Sequence, residues 1–158
     1  MRRKDREVTD VHQIKKILDA CKTCHLAMVD EGRPYVIPLS YAYLMDEKTL
    51  TLFFHSAKEG RKIDILRDNA AVCFEICREG EPVLAEKTPC NSGYYYASVH
   101  GFGEAVFIED SPEKCAALTL LMKHQANLEV GFTPAQAENV CVFKVTAESF
   151  TGKMKERG

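Results

Sequence analysis

Period-two alternation of apolar residues is the feature that most limits what this chain can become. Over residues 35–43, Tyr35, Ile37, Leu39, Tyr41 and Tyr43 fall on one side of an extended backbone. Over residues 50–55, Leu50, Leu52 and Phe54 take one face, and Thr51, Phe53 and His55 the other. Successive side chains of a strand point to opposite faces, so both stretches read as strands. Shorter extended runs lie at 26–29, 71–76 and 140–145, and a long one at 94–108, giving six predicted strands. A parallel pair needs a crossover of about a dozen residues or more, and most connections here are shorter. Asp30-Glu31-Gly32-Arg33 and Met45-Asp46-Glu47-Lys48 are turn signals. The expected fold is mainly β, an antiparallel sheet closed or nearly closed into a small barrel, with helices at its periphery.

Helix signals sit between the strands. Thr9 or Asp10 caps a helix whose apolar stripe is Val11, Ile14, Ile17, Leu18 and Cys21. Ser111-Pro112-Glu113 opens another, with Ser111 as cap, and Leu118, Leu121 and Met122 supply its apolar face. Thr133-Pro134-Ala135-Gln136 has the spacing of a capping box. Pro38 inside a strand implies an edge, a bulge or an interrupted ladder. Gly101 and Gly103 imply bends or close backbone approach. Residues 78–93 are polar and irregular, and read as a lid or binding loop.

Composition removes several classes of function. At 158 residues the chain is expected to form one domain, 1–158. Lys and Arg number 21 against 23 Asp and Glu, so the basic excess of a general nucleic-acid binder is missing. No apolar run approaches the ~18 residues of a membrane span. No apolar segment follows Met1-Arg2-Arg3-Lys4, so no export signal and a cytoplasmic location are expected. The seven cysteines are then expected as reduced thiols, since their number is odd and nothing points to an oxidising compartment.

The chemistry concentrates in Phe54-His55-Ser56-Ala57-Lys58-Glu59-Gly60-Arg61-Lys62. A strand ends at His55. Ser56 and Glu59 have capping-box spacing, which predicts a helix over residues 57–67. Lys58, Arg61 and Lys62 would crowd its first turns, where the helix already carries about half a positive charge. Free N–H groups, the Ser56 hydroxyl and long cationic side chains together make a phosphate cradle. Gly60 would cost about 1 kcal/mol inside a helix, which close approach of a ligand would explain. The same residues also fit a solvated amphipathic helix that buries Ile63, Ile65 and Leu66. From the residues alone both readings stay open.

Four segments carry a family resemblance. They are Tyr35-Val36-Ile37-Pro38-Leu39-Ser40-Tyr41, the His55–Lys62 segment, Val72-Cys73-Phe74-Glu75 and Ser98-Val99-His100-Gly101-Phe102-Gly103. In this order they resemble the FMN-binding split-barrel flavoproteins of the pyridoxamine 5'-phosphate oxidase-like superfamily, closest to the 5-nitroimidazole-resistance reductase branch. The resemblance runs over residues 3–153. It implies a six-stranded antiparallel split β-barrel with peripheral α-helices, and a homodimer with FMN at the subunit interface. By the same resemblance Arg61 and Lys62 would hold the FMN phosphate, with Ser56 and Gly60 beside it. His55 would lie near the phosphate or ribityl chain, and is the candidate catalytic acid. Val36, Ile37, Pro38 and Leu39 would run along the flavin ring. The implied activity is oxidoreduction of small acceptors, nitroaromatics among them, with NAD(P)H as a transient donor. The alternative is a non-catalytic flavin- or haem-binding protein. Oxidase members grip their substrate with a C-terminal Trp and Arg. This chain has no Trp, so pyridoxamine phosphate is not implied as substrate.

Other motifs compete less well. Cys21-Lys22-Thr23-Cys24-His25 spells C-x-x-C-H, but covalent haem attachment needs an export signal. Cys21 and Cys24 could join Cys73, Cys77, Cys90 or His25 in a zinc site. Cys73 and Cys77, however, are far apart for chelation on a strand. A zinc ribbon needs two C-x-x-C knuckles and only one is present, so no metal is expected. Gly101-Phe102-Gly103 lacks the third glycine and the following helix of a dinucleotide fingerprint.

Overall fold

Glu31 and Gly32 both take positive φ, 49° and 80°. A two-residue hairpin turn of type I′ requires that backbone. It joins β2 (Thr23–Asp30) to β3 (Arg33–Ser40) in unbroken register, from Asp30 opposite Arg33 to Thr23 opposite Ser40. Pro34 and Pro38 face Val29 and His25 across this ladder. A proline has no N–H to exchange, so both ring nitrogens point away from β2. The edge expected from Pro38 is therefore real: β3 ends the sheet.

The computed structural model describes residues 3–85 and 88–155. The remaining elements are β1 (Glu7–Val8), α1 (Val11–Ala20), β4 (Ala42–Met45), β5 (Leu50–Ser56), α2 (Arg61–Asp68), β6 (Ala71–Val83), β7 (Gly93–Phe107), α3 (Ser111–Ala126), α4 (Pro134–Ala137) and β8 (Cys141–Lys155). One antiparallel sheet runs in the order β3-β2-β6-β7-β8-β5-β4, with β1 added to β8. β3 and β4 are separated only by Tyr41, yet they occupy opposite ends of this order. The sheet must coil until its ends approach each other. Among the described residues no ladder joins β3 to β4, so the barrel has an open seam and is not closed.

Among the described residues eight strands stand where six were expected. The two-residue β1 carries no alternation signal, and the 35–43 run breaks at Tyr41 into β3 and β4. β6 and β8 outrun their expected limits of 76 and 145 because their extensions are polar and largely exposed, as at Arg78, Glu79, Glu148 and Ser149. The first six residues of the expected 78–93 lid are thus strand, with a turn at Pro89–Asn91, and Glu86 and Lys87 lie outside the described residues.

The barrel interior holds Leu26, Leu50, Leu52, Phe54, Phe74, Ile76, Val99, Phe143 and Val145, with Ile14, Ile17 and Leu18 of α1. Phe54 and Phe143 stack at 5.1 Å. A second core lies on the outer face, where Phe53 and Val142 pack under Leu118 and Leu121 of α3 and Ala137 of α4. The glycines of β7 are close-approach positions: a Cβ at Gly101 would sit 2.5 Å from the Phe74 ring, and one at Gly103 2.5 Å from the Thr146 carbonyl. Caps fall near their signals. Asp10 accepts from the Gln13 N–H at 2.8 Å, and Asp110, one residue before the expected Ser111, accepts from Glu113 at 3.0 Å. The Thr133–Gln136 capping box forms.

Tyr41, fully buried, is pinned from both sides. Its hydroxyl donates to the Leu18 carbonyl at 2.7 Å, and Gln125 Nε2 donates to the Tyr41 carbonyl at 2.7 Å. His124 packs on the ring with centroids 4.8 Å apart, and its Nε2 lies 3.0 Å from the Cys21 carbonyl. Tyr41→Phe should cost about 1 kcal/mol in urea unfolding, the net value of a buried hydrogen bond. Burial, reinforced by the Lys22 ammonium, pushes the His124 pKa below its ordinary 6.5. The unfolded chain therefore takes up a proton before the folded one does. Stability should fall as pH drops below about 6.5, and His124→Gln should flatten that dependence in unfolding titrations.

Candidate functional site

The helix after β5 starts four residues later than expected. Ser56 does not cap it; its hydroxyl donates to the Ala57 carbonyl at 2.7 Å. Residues 57–60 form a loop, and Gly60 is the N-cap of α2 at φ 126°, ψ 164°. Only glycine reaches that region without strain. Gly60 is therefore required by the turn that starts the helix, not tolerated inside it. The first intrahelical bonds run from the Ile63 and Asp64 N–H groups to the Gly60 carbonyl. The N–H groups of Arg61 and Lys62 precede them, where a helix leaves its donors free.

Arg61 reaches across the seam. Its Nε and Nη2 donate to Asp30 Oδ2 at 2.9 and 2.7 Å, and its guanidinium lies 4.8 Å from the centre of the Tyr35 ring. Asp30 ends β2 and Tyr35 lies in β3, so this side chain ties α2 to the hairpin that forms the other lip. The remaining guanidinium N–H groups stay exposed to solvent. Lys62 is half-buried beside Arg61 on α2. Burial and then Glu109 raise the Cys141 pKa; Arg67, Lys114 and Lys62 oppose them. Lys58 lines a cavity of about 230 Å³ with Arg67, Lys114 and Cys141. The three cations expected at one point thus fan out around the corner.

The seam supplies the other expected residues. β4 pairs with β5 only over Leu50–Phe53, so Phe54, His55 and Ser56 continue past its end with that edge unpaired. Across the seam, the outer edge of β3 turns the backbone groups of Val36 and Ser40 away from β2. Val36 and Pro38 are exposed, while Ile37 and Leu39 pack toward the barrel interior. His55 is exposed opposite Val142, on the outer face of β5, and Ser56 is buried opposite Cys141. The structure therefore brings Arg61 across the seam to the β2–β3 hairpin, with Gly60 and Lys62 flanking it in sequence, Ser56 buried at the end of β5, and His55 turned to the outer side.

Sequence reasoning missed Asp30, which read only as part of a turn. Its role follows from the chain bringing the end of β2 beside α2, and no local spacing announces that. The C-x-x-C pair also resolves: Cys21 ends α1 and Cys24 lies within β2, and both are buried in the barrel core. All seven cysteines are free thiols. No described helix is long and apolar enough to cross a membrane.

Arg61, Lys62 and the free N–H groups suit a phosphate, and the exposed β3 edge suits a flat ring that can hydrogen-bond to backbone. The donor set thus fits a phosphate-bearing flavin, with Asp30 as a competitor for Arg61.

Residues 10–154 match the family model described as pyridoxamine 5'-phosphate oxidase. Among solved structures, a candidate 5-nitroimidazole antibiotic resistance protein from Bacteroides thetaiotaomicron is 32% identical, with a TM-score of 0.81 over 94% of this chain and 86% of that one. An FAD-binding protein from Mesorhizobium loti is 25% identical, with a TM-score of 0.68 over 96% and 98% of the two chains. The FAD and heme binding protein of Mycobacterium smegmatis shares the fold at a TM-score of 0.81, with 19% identity over 96% of this chain and 74% of that one. The comparison with curated proteins returns no match.

Gly60→Ala should keep the strand content seen by circular dichroism and lower stability by about 1–3 kcal/mol, the cost of a side chain in that backbone region. Gly131→Ala, where nothing lies within 4 Å of the added carbon, should be near neutral in the same assay.

Proposed function

Because this chain belongs to the pyridoxamine 5'-phosphate oxidase family, we propose that it is a homodimeric FMN-dependent oxidoreductase that reduces small acceptors, nitroaromatics among them. The observation that carries the reading is the cationic start of α2 facing an unpaired strand edge across the seam. The 32% identity to the candidate nitroimidazole-resistance protein points to the acceptor class.

In this reading Arg61, Lys62 and their N–H groups hold the phosphate, and Ser56 and Gly60 shape the loop around it. The edge of β3 from Val36 to Leu39 positions the ring through its backbone. A bound flavin supplies the hydride and single-electron chemistry there, and the protein supplies position and electrostatics. His55, at the end of β5, is the residue assigned to proton exchange with the acceptor. Gly101 and Gly103 are committed to close packing, so NAD(P)H binds as a transient donor and not on a dinucleotide module. A second copy of the chain covers the outer face, where Val36 and Phe102 are 55% and 61% exposed. They lie along one row through Ala27 and Cys73.

The purified protein should show a flavin band near ~450 nm, release FMN on denaturation, and consume NAD(P)H with nitroaromatic acceptors. Changing Arg61 and Lys62 together to Ala should remove most of the colour and leave the fold intact, since a surface ion pair such as Arg61–Asp30 contributes only about 0–1 kcal/mol. Full yellow colour in that variant would overturn the cradle. A Soret band without a flavin band would replace the cofactor with haem. A flavin-loaded protein inactive with every donor would reduce the function to binding.

A further inference from the structure

The outer face of the sheet carries a second cluster of reactive side chains. His25 of β2 is registered opposite Glu75 of β6, and Glu75 opposite His100 of β7. Cys73 and Cys77, two residues to either side of Glu75, share that face by strand alternation. One ligand atom from each of His25, Glu75 and Cys77 lies within 4.8 Å of the other two. His25 Nδ1 stands 3.9 Å from Glu75 Oε2, too far for a hydrogen bond. This nitrogen is shielded from solvent and has no hydrogen-bond partner among the described residues. A buried polar atom left unpaired costs about 1–3 kcal/mol. The cluster is rich in electron pairs.

We propose that His25, Glu75 and Cys77 form a binding site for one zinc-type divalent cation. One imidazole nitrogen, one carboxylate oxygen and one thiolate sulfur make a zinc donor set, and the sulfur selects against magnesium and calcium. Tetrahedral bonds of about 2.0–2.3 Å set ligand atoms roughly 3.5 Å apart. The observed spacing closes to that by side-chain rotation of the half-exposed His25 and Glu75 and the exposed Cys77, without backbone movement. Binding converts the Cys77 thiol to thiolate and releases its proton to solvent. The fourth position is left to water or to the second copy that covers this face in the proposed dimer. Beside it, Cys73 Sγ and His100 Nε2 are already in contact at 3.1 Å. The site has no local sequence motif because its ligands come from two strands brought together only by the ladder between β2 and β6. It is separate from the cationic corner: Asp30 lies five residues further along β2, roughly 17 Å away at strand rise.

The test is metal analysis of the protein as purified, followed by titration with cobalt(II) as the spectroscopic probe. About one metal ion per chain is expected. Cobalt should give tetrahedral d–d bands, which lie to the red of flavin absorption. Cys77→Ser should abolish the thiolate-to-metal charge-transfer band. His25→Ala should weaken binding about tenfold or more, at least the loss that outer-shell partners alone cause. Cys90→Ser, exposed and outside the cluster, should change nothing. Absence of bound metal and of tetrahedral bands would overturn the site. So would bands that survive both Cys77→Ser and His25→Ala, which would place the ion on other thiols. None of these readouts uses flavin, so a colourless protein that binds cobalt tells against the proposed function alone.

Discussion

Tyr41 must carry the chain from one end of an eight-stranded sheet to the other in a single residue. That demand cannot be met by a flat sheet. It forces the strands to coil, and it leaves a seam where β3 and β4 diverge instead of pairing. The residue is held by hydrogen bonds on both ends, from its hydroxyl to the end of α1 and to its carbonyl from the last turn of α3. Two helices remote in sequence thereby converge on one point of the barrel wall. The positions of both seam lips follow from this hinge, and the candidate site lies between them.

The electrostatics of that seam follow from where the helix begins. Had α2 started at Ala57, three cations would share its first two turns. Because Gly60 delays the start, Arg61 opens the helix and swings to Asp30, Lys62 follows it half-buried, and Lys58 stays in the preceding loop. One cation is thus partly neutralised by a carboxylate on the opposite lip. An incoming anion would share Arg61 with Asp30, so ligand and hairpin are coupled through one guanidinium.

Much of this was legible in the residues. Alternation located the strands whose one face is buried, the capping box at Thr133 formed as spelled, and Pro38 marked a true edge. The glycines of β7 sit where the Phe74 ring and the Thr146 carbonyl leave no room for a side chain. What escaped were features set by the whole sheet. β1 is too short for a pattern, and the polar ends of β6 and β8 are strands only because neighbouring strands offer ladder bonds. The Ser56–Glu59 spacing matched a capping box, but Ser56 is drawn into β5 by Cys141, so the local signal lost to tertiary pairing. Asp30 and the His25–Glu75–Cys77 cluster depend on cross-strand register, which no short window contains.

The two prolines of β3 have one more effect. A bare sheet margin is a template on which another chain can stack, and that is a common route to fibres. Along this margin Pro34 and Pro38 remove every other outward-facing donor, so an incoming polypeptide would meet an incomplete set of bonds. A small planar molecule needs only one or two donors and loses nothing. The same substitution pattern that disfavours aggregation therefore keeps a slot open for something much smaller than a peptide.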